Sequence, residues 1–142
     1  MVAARVALSA LVVCGMTWTS RARAAEPALR AELSCRREVS PGRVQCELVV
    51  TAVTGRLVWA DALVVAVPEF TRPLRSRVGP EQALRRSERQ FTLPISLAAT
   101  KNGRGELRVE ARAVICTARA NGCTPLTQVS SADVEVGARE QR

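Results

Sequence analysis

Histidine and tyrosine are absent from this 142-residue chain, lysine occurs once, at Lys101, and there are only two phenylalanines and two tryptophans. Each shortage removes a class of function. Without histidine there is no Ser-His-Asp or Cys-His nucleophilic site and no imidazole to ligate a metal. Without tyrosine another acid–base group is gone, so hydrolytic chemistry is not expected. So few aromatics leave little for nucleic-acid bases to stack on. No apolar run reaches the roughly 20 residues that a membrane-spanning helix needs.

The longest apolar run is at the start. Arg5 supplies a positive charge, Val6 to Met16 is apolar, and Ala22 and Ala24 form the small-x-small pattern that signal peptidase prefers. Residues 1–24 therefore read as an export signal, and residues 25–142 as a single mature domain. Cys14 lies inside the run, but Val13 precedes it where a lipidation signal carries a small residue, so a lipoprotein is not expected. The formal charge is +8, nearly all of it from arginine. These arginines alternate with apolar residues instead of forming a block, which suits a solvated sheet face better than a nucleic-acid surface.

Beyond the signal there are four cysteines, Cys35, Cys46, Cys116 and Cys123. An even count in an exported chain implies disulfides. The wide intervals are not those of a Cys₄ zinc site, which shows close C-x₂₋₄-C pairs. A four-residue turn over Val39 to Gly42 sets Glu38 opposite Arg43 and Cys35 opposite Cys46. A second turn over Ala118 to Asn121 sets Thr117 opposite Gly122 and Cys116 opposite Cys123. Opposed antiparallel residues lie within disulfide reach. A bridge between sheets, such as Cys46 to Cys116, is the alternative.

Period-2 alternation marks the strands. Leu107, Val109, Ala111, Ala113 and Ile115 share one face of a long strand, and Asn121-Gly122 suits the turn that follows. Val44, Leu48, Leu93, Ile95, Leu107 and Val109 are the expected core, with Trp59 as its large anchor. Arg56 to Ala60 and Leu63 to Val67 read as two strands around Thr54-Gly55 and later turns. Between Pro68 and Ser87 the prolines break the pattern into loops or edges, with room for one helical turn over Gln82 to Glu88. Pro94 suggests that the strand Arg89 to Leu97 is an edge. In the broken region Arg72, Arg75, Arg77, Arg85 and Arg86 face only Glu69 and Glu81, a candidate surface for an anionic partner. About seven short strands joined by Gly/Pro turns, with no long helix, give an all-β, immunoglobulin-like β-sandwich stapled by disulfides.

Phe91-Thr92-Leu93-Pro94-Ile95, the strand Glu106 to Ile115, the pair Cys116 and Cys123, and Pro125 just beyond resemble the immunoglobulin-like N-terminal domain of the bacterial disulfide reductase DsbD. The resemblance covers roughly Arg89 to Val136. It implies a redox role for Cys116 and Cys123 and a thioredoxin-like partner. The cysteine interval is one residue longer than in that family, no aromatic residue stands near Val78 to Ala83 to cover the bridge, and Cys35 and Cys46 are additional.

Two functions are thus in play. One is a non-enzymatic, periplasmic or secreted module with structural disulfides, which meets a protein partner in the cell envelope and uses no cofactor or metal. The other is a thiol-disulfide carrier that cycles Cys116 and Cys123, with Arg112 and Arg119 stabilising a thiolate.

Overall fold

The computed structural model describes Ala22, residues 24–118 and residues 122–138. The expected signal peptide, Cys14 and Arg119 lie outside the described residues, apart from Ala22 and Ala24 at the end of the signal. Nine strands are described: β1 Leu29–Cys35, β2 Gly42–Ala52, β3 Arg56–Ala66, β4 Thr71–Pro73, β5 Arg77–Val78, β6 Arg85–Arg86, β7 Gln90–Ala99, β8 Gly103–Thr117 and β9 Gly122–Val136. They form two antiparallel sheets. The first runs β1-β2-β7, with β4 and β6 both on the far side of β7; the second runs β5-β3-β8-β9.

Alternation places the core between the sheets. Val44, Leu48 and Val50 of β2, Leu93, Ile95 and Leu97 of β7, and Leu107, Val109 and Ala111 of β8 have no exposed surface. Their strands are long because each alternate residue meets apolar partners from the opposite sheet. Two facing sheets, short turns and one shared core make this an immunoglobulin-like β-sandwich.

The structure departs from the sequence reading in five places. Arg56 to Ala66 is a single strand, not two, and it carries irregularities between Leu57 and Trp59 and between Val64 and Ala66. The first of these turns Trp59 out of the core, where it is only half-buried. β7 is not an edge: β2 pairs along its length, and β4 and β6 pair with its two ends. Pro94, with no N–H to give, falls in the gap between those two short strands. The helical turn is a 3₁₀ turn at Pro80–Gln82, where proline presets the first position and the Gly79 N–H donates to Gln82 Oε1 at 2.7 Å.

The last departure is at the first hairpin. β1 and β2 pair as far as Cys35 opposite Cys46, and the Arg36 N–H donates to Gln45 O. The chain then leaves the ladder, so Glu38 does not face Arg43. Instead the Glu38 N–H donates to Glu135 O at 3.1 Å, and Glu38 O accepts from the Gly137 N–H at 2.8 Å. This bridge ties the end of β9 to the first sheet.

Candidate protein-interaction face

The two sheets present unlike outer faces. On the first, the outward residues of β2 and β7 include Arg43, Gln45, Glu47, Gln90 and Ser96. Polar residues predominate there, with Val49, Pro94 and Ala98 scattered among them, as expected of a face in water. The second sheet differs, and the register shows how. Opposed residues share a face, so Arg56, Cys116 and Cys123 form one row and Trp59, Val114 and Pro125 the next. Asp61, Arg112 and Thr127 make a third, and Leu63, Glu110 and Val129 a fourth. Arg77 of β5 lies opposite Leu63.

The irregularity after Leu57 creates this arrangement. Leu57 is in the core, and strict alternation would carry Trp59 and Asp61 there too. The extra residue moves the inward set to Ala60 and Ala62, both fully buried, and delivers Trp59, Asp61 and Leu63 to the outer face.

Asp61 nevertheless has no solvent exposure. Arg77 Nε donates to its Oδ2 at 2.7 Å and Arg112 Nε to its Oδ1 at 2.8 Å, while a terminal nitrogen of Arg112 also bonds Oδ2. The Arg112 guanidinium carbon lies 6.0 Å from the centroid of the Trp59 ring, within cation–π range. Burial pushes the Asp61 carboxyl upward. The hydrogen bonds and charges of Arg112 and Arg77 outweigh it and hold the group below its ordinary 3.8. The bond to Asp61 likewise holds the Arg112 guanidinium above its usual value.

The two disulfides, Cys35–Cys46 and Cys116–Cys123, occupy opposite environments. Cys46 is 2% exposed and its bridge belongs to the inner face of the first sheet. Cys116–Cys123 sits on the outer face of the second, with Cys116 half-buried and Cys123 exposed. Gly55, Arg56, Thr117 and Gly122 join it around an open depression of about 560 Å³. Gly55 has φ +79°, and a Cβ there would lie 2.7 Å from the Cys116 carbonyl oxygen. Only glycine lets the β2–β3 turn approach the bridge so closely.

Among the described residues, the arginine of the depression is Arg56, opposite Cys116 and 4.0 Å from Glu88. Sequence reasoning passed over it because nothing but strand register brings it there. Arg112, expected to serve the thiolate, is instead committed to Asp61 two rows away. The five arginines of the broken region do not converge. Arg72 and Arg85 pair with Ala98 and Thr92 of β7, six residues and about 20 Å apart. Arg77 belongs to the other sheet, and Arg86 stacks on Phe91 with 4.9 Å to the ring centroid. Asp61 was likewise passed over: its partners lie 16 and 51 residues away. Among the described residues no helix is long and apolar enough to cross a membrane, and no three His, Cys, Asp or Glu cluster to hold a metal ion.

No family model matches the chain, and no curated protein matches it. Two solved domains are similar to it. One is the ASH/PapD-like domain 7 of human CEP192, 9% identical, with a TM-score of 0.45, covering 96% of this chain and 100% of that one. The other is ACE19, the collagen-binding subdomain of the Enterococcus faecalis surface protein ACE, 7% identical, with a TM-score of 0.41, covering 80% of this chain and 99% of that one. At these values neither likeness carries a function across.

Proposed function

We propose that the chain is an exported, non-enzymatic module that binds a protein of the cell envelope through the outer face of the β5-β3-β8-β9 sheet. The observation that carries this reading is the asymmetry of the two outer faces. The first carries Val49, Pro94 and Ala98 scattered among polar and charged residues; the second gathers a half-buried tryptophan, Leu63, Val114, Pro125 and a Val129 that is 44% exposed around the charged residues Asp61, Arg77, Arg112 and Glu110. Apolar rows with an aromatic and an arginine at their centre have the composition of an interface core. Support for export comes from the leader pattern and from two disulfides, which persist in oxidising compartments.

A photo-crosslinking amino acid placed in turn at Val114, Thr127, Gln45 and Ser96, in cells that produce the protein, tests the reading. Discrete adducts are expected from Val114 and Thr127 alone. Adducts from both faces alike, or from neither, refute it.

One observation favours a second reading, thiol-disulfide exchange similar to that of the DsbD N-terminal domain: the Cys116–Cys123 bridge is outward and accessible. Exchange needs a thiolate to reach one sulfur of the bridge, leaving the other as the departing thiolate, and Cys123 offers that access. A mixed disulfide with a thioredoxin-like protein, trapped by Cys116→Ser or Cys123→Ser, is the outcome that would put this reading first.

A further inference from the structure

We propose that two copies of this chain pair through the free edge of β9, with Cys123 to Val129 of each running antiparallel about a twofold axis at Leu126. The inference stands apart from the interface reading above; the dimer joins two such faces into one. β9 pairs with β8 along its whole length, from Gly122 opposite Thr117 to Val136 opposite Gly103, without a shift. On its other side Glu38 bridges Val136: the Glu38 N–H donates to Glu135 O, and Glu38 O accepts from the Gly137 N–H. The backbone groups of Glu135 therefore face away from β8. So do those of every odd-numbered residue of the strand, because the groups of an antiparallel strand alternate in direction. Pro125 is one of these, and its missing N–H costs the β8 ladder nothing. Among the described residues no backbone partner meets Cys123, Pro125, Thr127 or Val129 on that side.

The other edges are blunted, as edges in monomeric proteins usually are. β4, β5 and β6 are two or three residues long. On β3 the Leu57 and Val64 N–H groups donate to Glu88 O and Ser76 O, and on β1 the Ala31 carbonyl accepts from Ser130 Oγ. The first half of β9 has no such protection. It carries no bulge, and from Gly122 to Ala132 it has no charged residue. Between Gly122 and Val129 every residue is exposed except Leu126 and Gln128, which are half-buried. A regular, uncharged edge of this kind is a template for another strand.

A second copy fits that edge. The twofold sets Cys123 of each copy opposite Val129 of the other, Pro125 opposite Thr127, and Leu126 against its own mate. The N–H groups of Cys123, Thr127 and Val129 all donate across the axis, and only Thr127 O, opposite Pro125, is left to water. The charges behind the edge allow the approach. Arg77 and Arg112 are bound to Asp61, and at the adjoining corner Arg30 is bound to Glu26. Glu110 shares the row of Val129 and Arg56 that of Cys123, so the register brings Glu110 of one copy into line with Arg56 of the other. The two Arg112 residues stand three strand spacings apart, about 14 Å, beyond the screening length of about 8 Å. A foreign strand finds no charged side chain on this edge to select it, whereas each copy brings the matching register.

The test uses the protein as recovered from cells that produce it, with both bridges oxidised. Sedimentation across the micromolar range should show a monomer–dimer equilibrium. Hydrogen exchange should slow with rising concentration at the amides of Cys123, Thr127 and Val129. Thr127→Pro removes an outward N–H and leaves the β8 ladder whole, so it should weaken the dimer about tenfold or more while circular dichroism reports an unchanged fold. Pro125→Thr supplies the missing donor and should tighten the dimer several-fold; if Thr127→Pro fails to fold, this variant decides alone. A chain that stays monomeric throughout, a dimer indifferent to either substitution, or assemblies that grow beyond two overturn the proposal. So does protection of the same amides by an uncharged peptide of alternating Thr and Val without self-association, which assigns the edge to a foreign strand.

Discussion

A carboxylate without solvent exposure on the outward side of a sheet is costly unless its charge and lone pairs are met. Asp61 is met three times over by Arg77 and Arg112, and its folded pKa lies below the ordinary value as a result. A group whose pKa is depressed by folding contributes stability above its unfolded value, near 3.8, and loses that contribution as pH falls through the folded one. Asp61→Asn should therefore lower stability at neutral pH by about 1.5–3 kcal/mol, the range for hydrogen bonds to charged groups. The gap between variant and parent should narrow as pH falls below 3.8 and through the lower folded pKa. Urea midpoints at pH 7 and at low pH measure it; a gap independent of pH would show that the ionised carboxylate is not what stabilises.

At the scale of elements, two hairpins carry two bridges with different exposure. β1 and β2 bring Cys35 and Cys46 together on the core side, while β8 and β9 bring Cys116 and Cys123 together on the outer side. A reductant must reach a sulfur along the line of the bond. Brief treatment with a mild thiol followed by alkylation and peptide mapping should therefore label Cys116 and Cys123 before Cys35 and Cys46; the reverse order would contradict the described environments. Replacing Cys116 and Cys123 together with Ser should cost roughly 2–3 kcal/mol from the entropy of a loop with seven-residue separation.

The whole molecule has one core, to which both sheets contribute, so damage at one point is felt throughout. Leu107 of β8 is fully buried against residues of the facing sheet. Leu107→Ala should lower unfolding free energy by about 2–5 kcal/mol. It should do so in a single transition seen alike by circular dichroism and Trp59 fluorescence, as expected for one cooperative domain. Two transitions would mean that the sheets unfold separately.

The strands of the core were legible along the chain because each keeps one face dry, and a dry face imposes period-2 alternation on the residues themselves. Val44 to Val50, Phe91 to Leu97 and Leu107 to Ile115 show it directly, and with the Gly/Pro turns they specify an all-β sandwich. The pairing of Thr117 with Gly122, and hence of Cys116 with Cys123, could be counted from a short turn. Where partners are remote, counting ends. The irregularity after Leu57 arises because β8 offers one residue fewer than β3 over that stretch, and nothing within Arg56 to Ala66 announces it. That extra residue decides that Trp59 leaves the core and that Asp61 faces outward beneath two arginines. Local sequence thus determined which segments are strands and which faces are apolar; only the tertiary structure decided strand order, the exposure of each bridge and the charged cluster, because these depend on contacts between residues far apart in the chain.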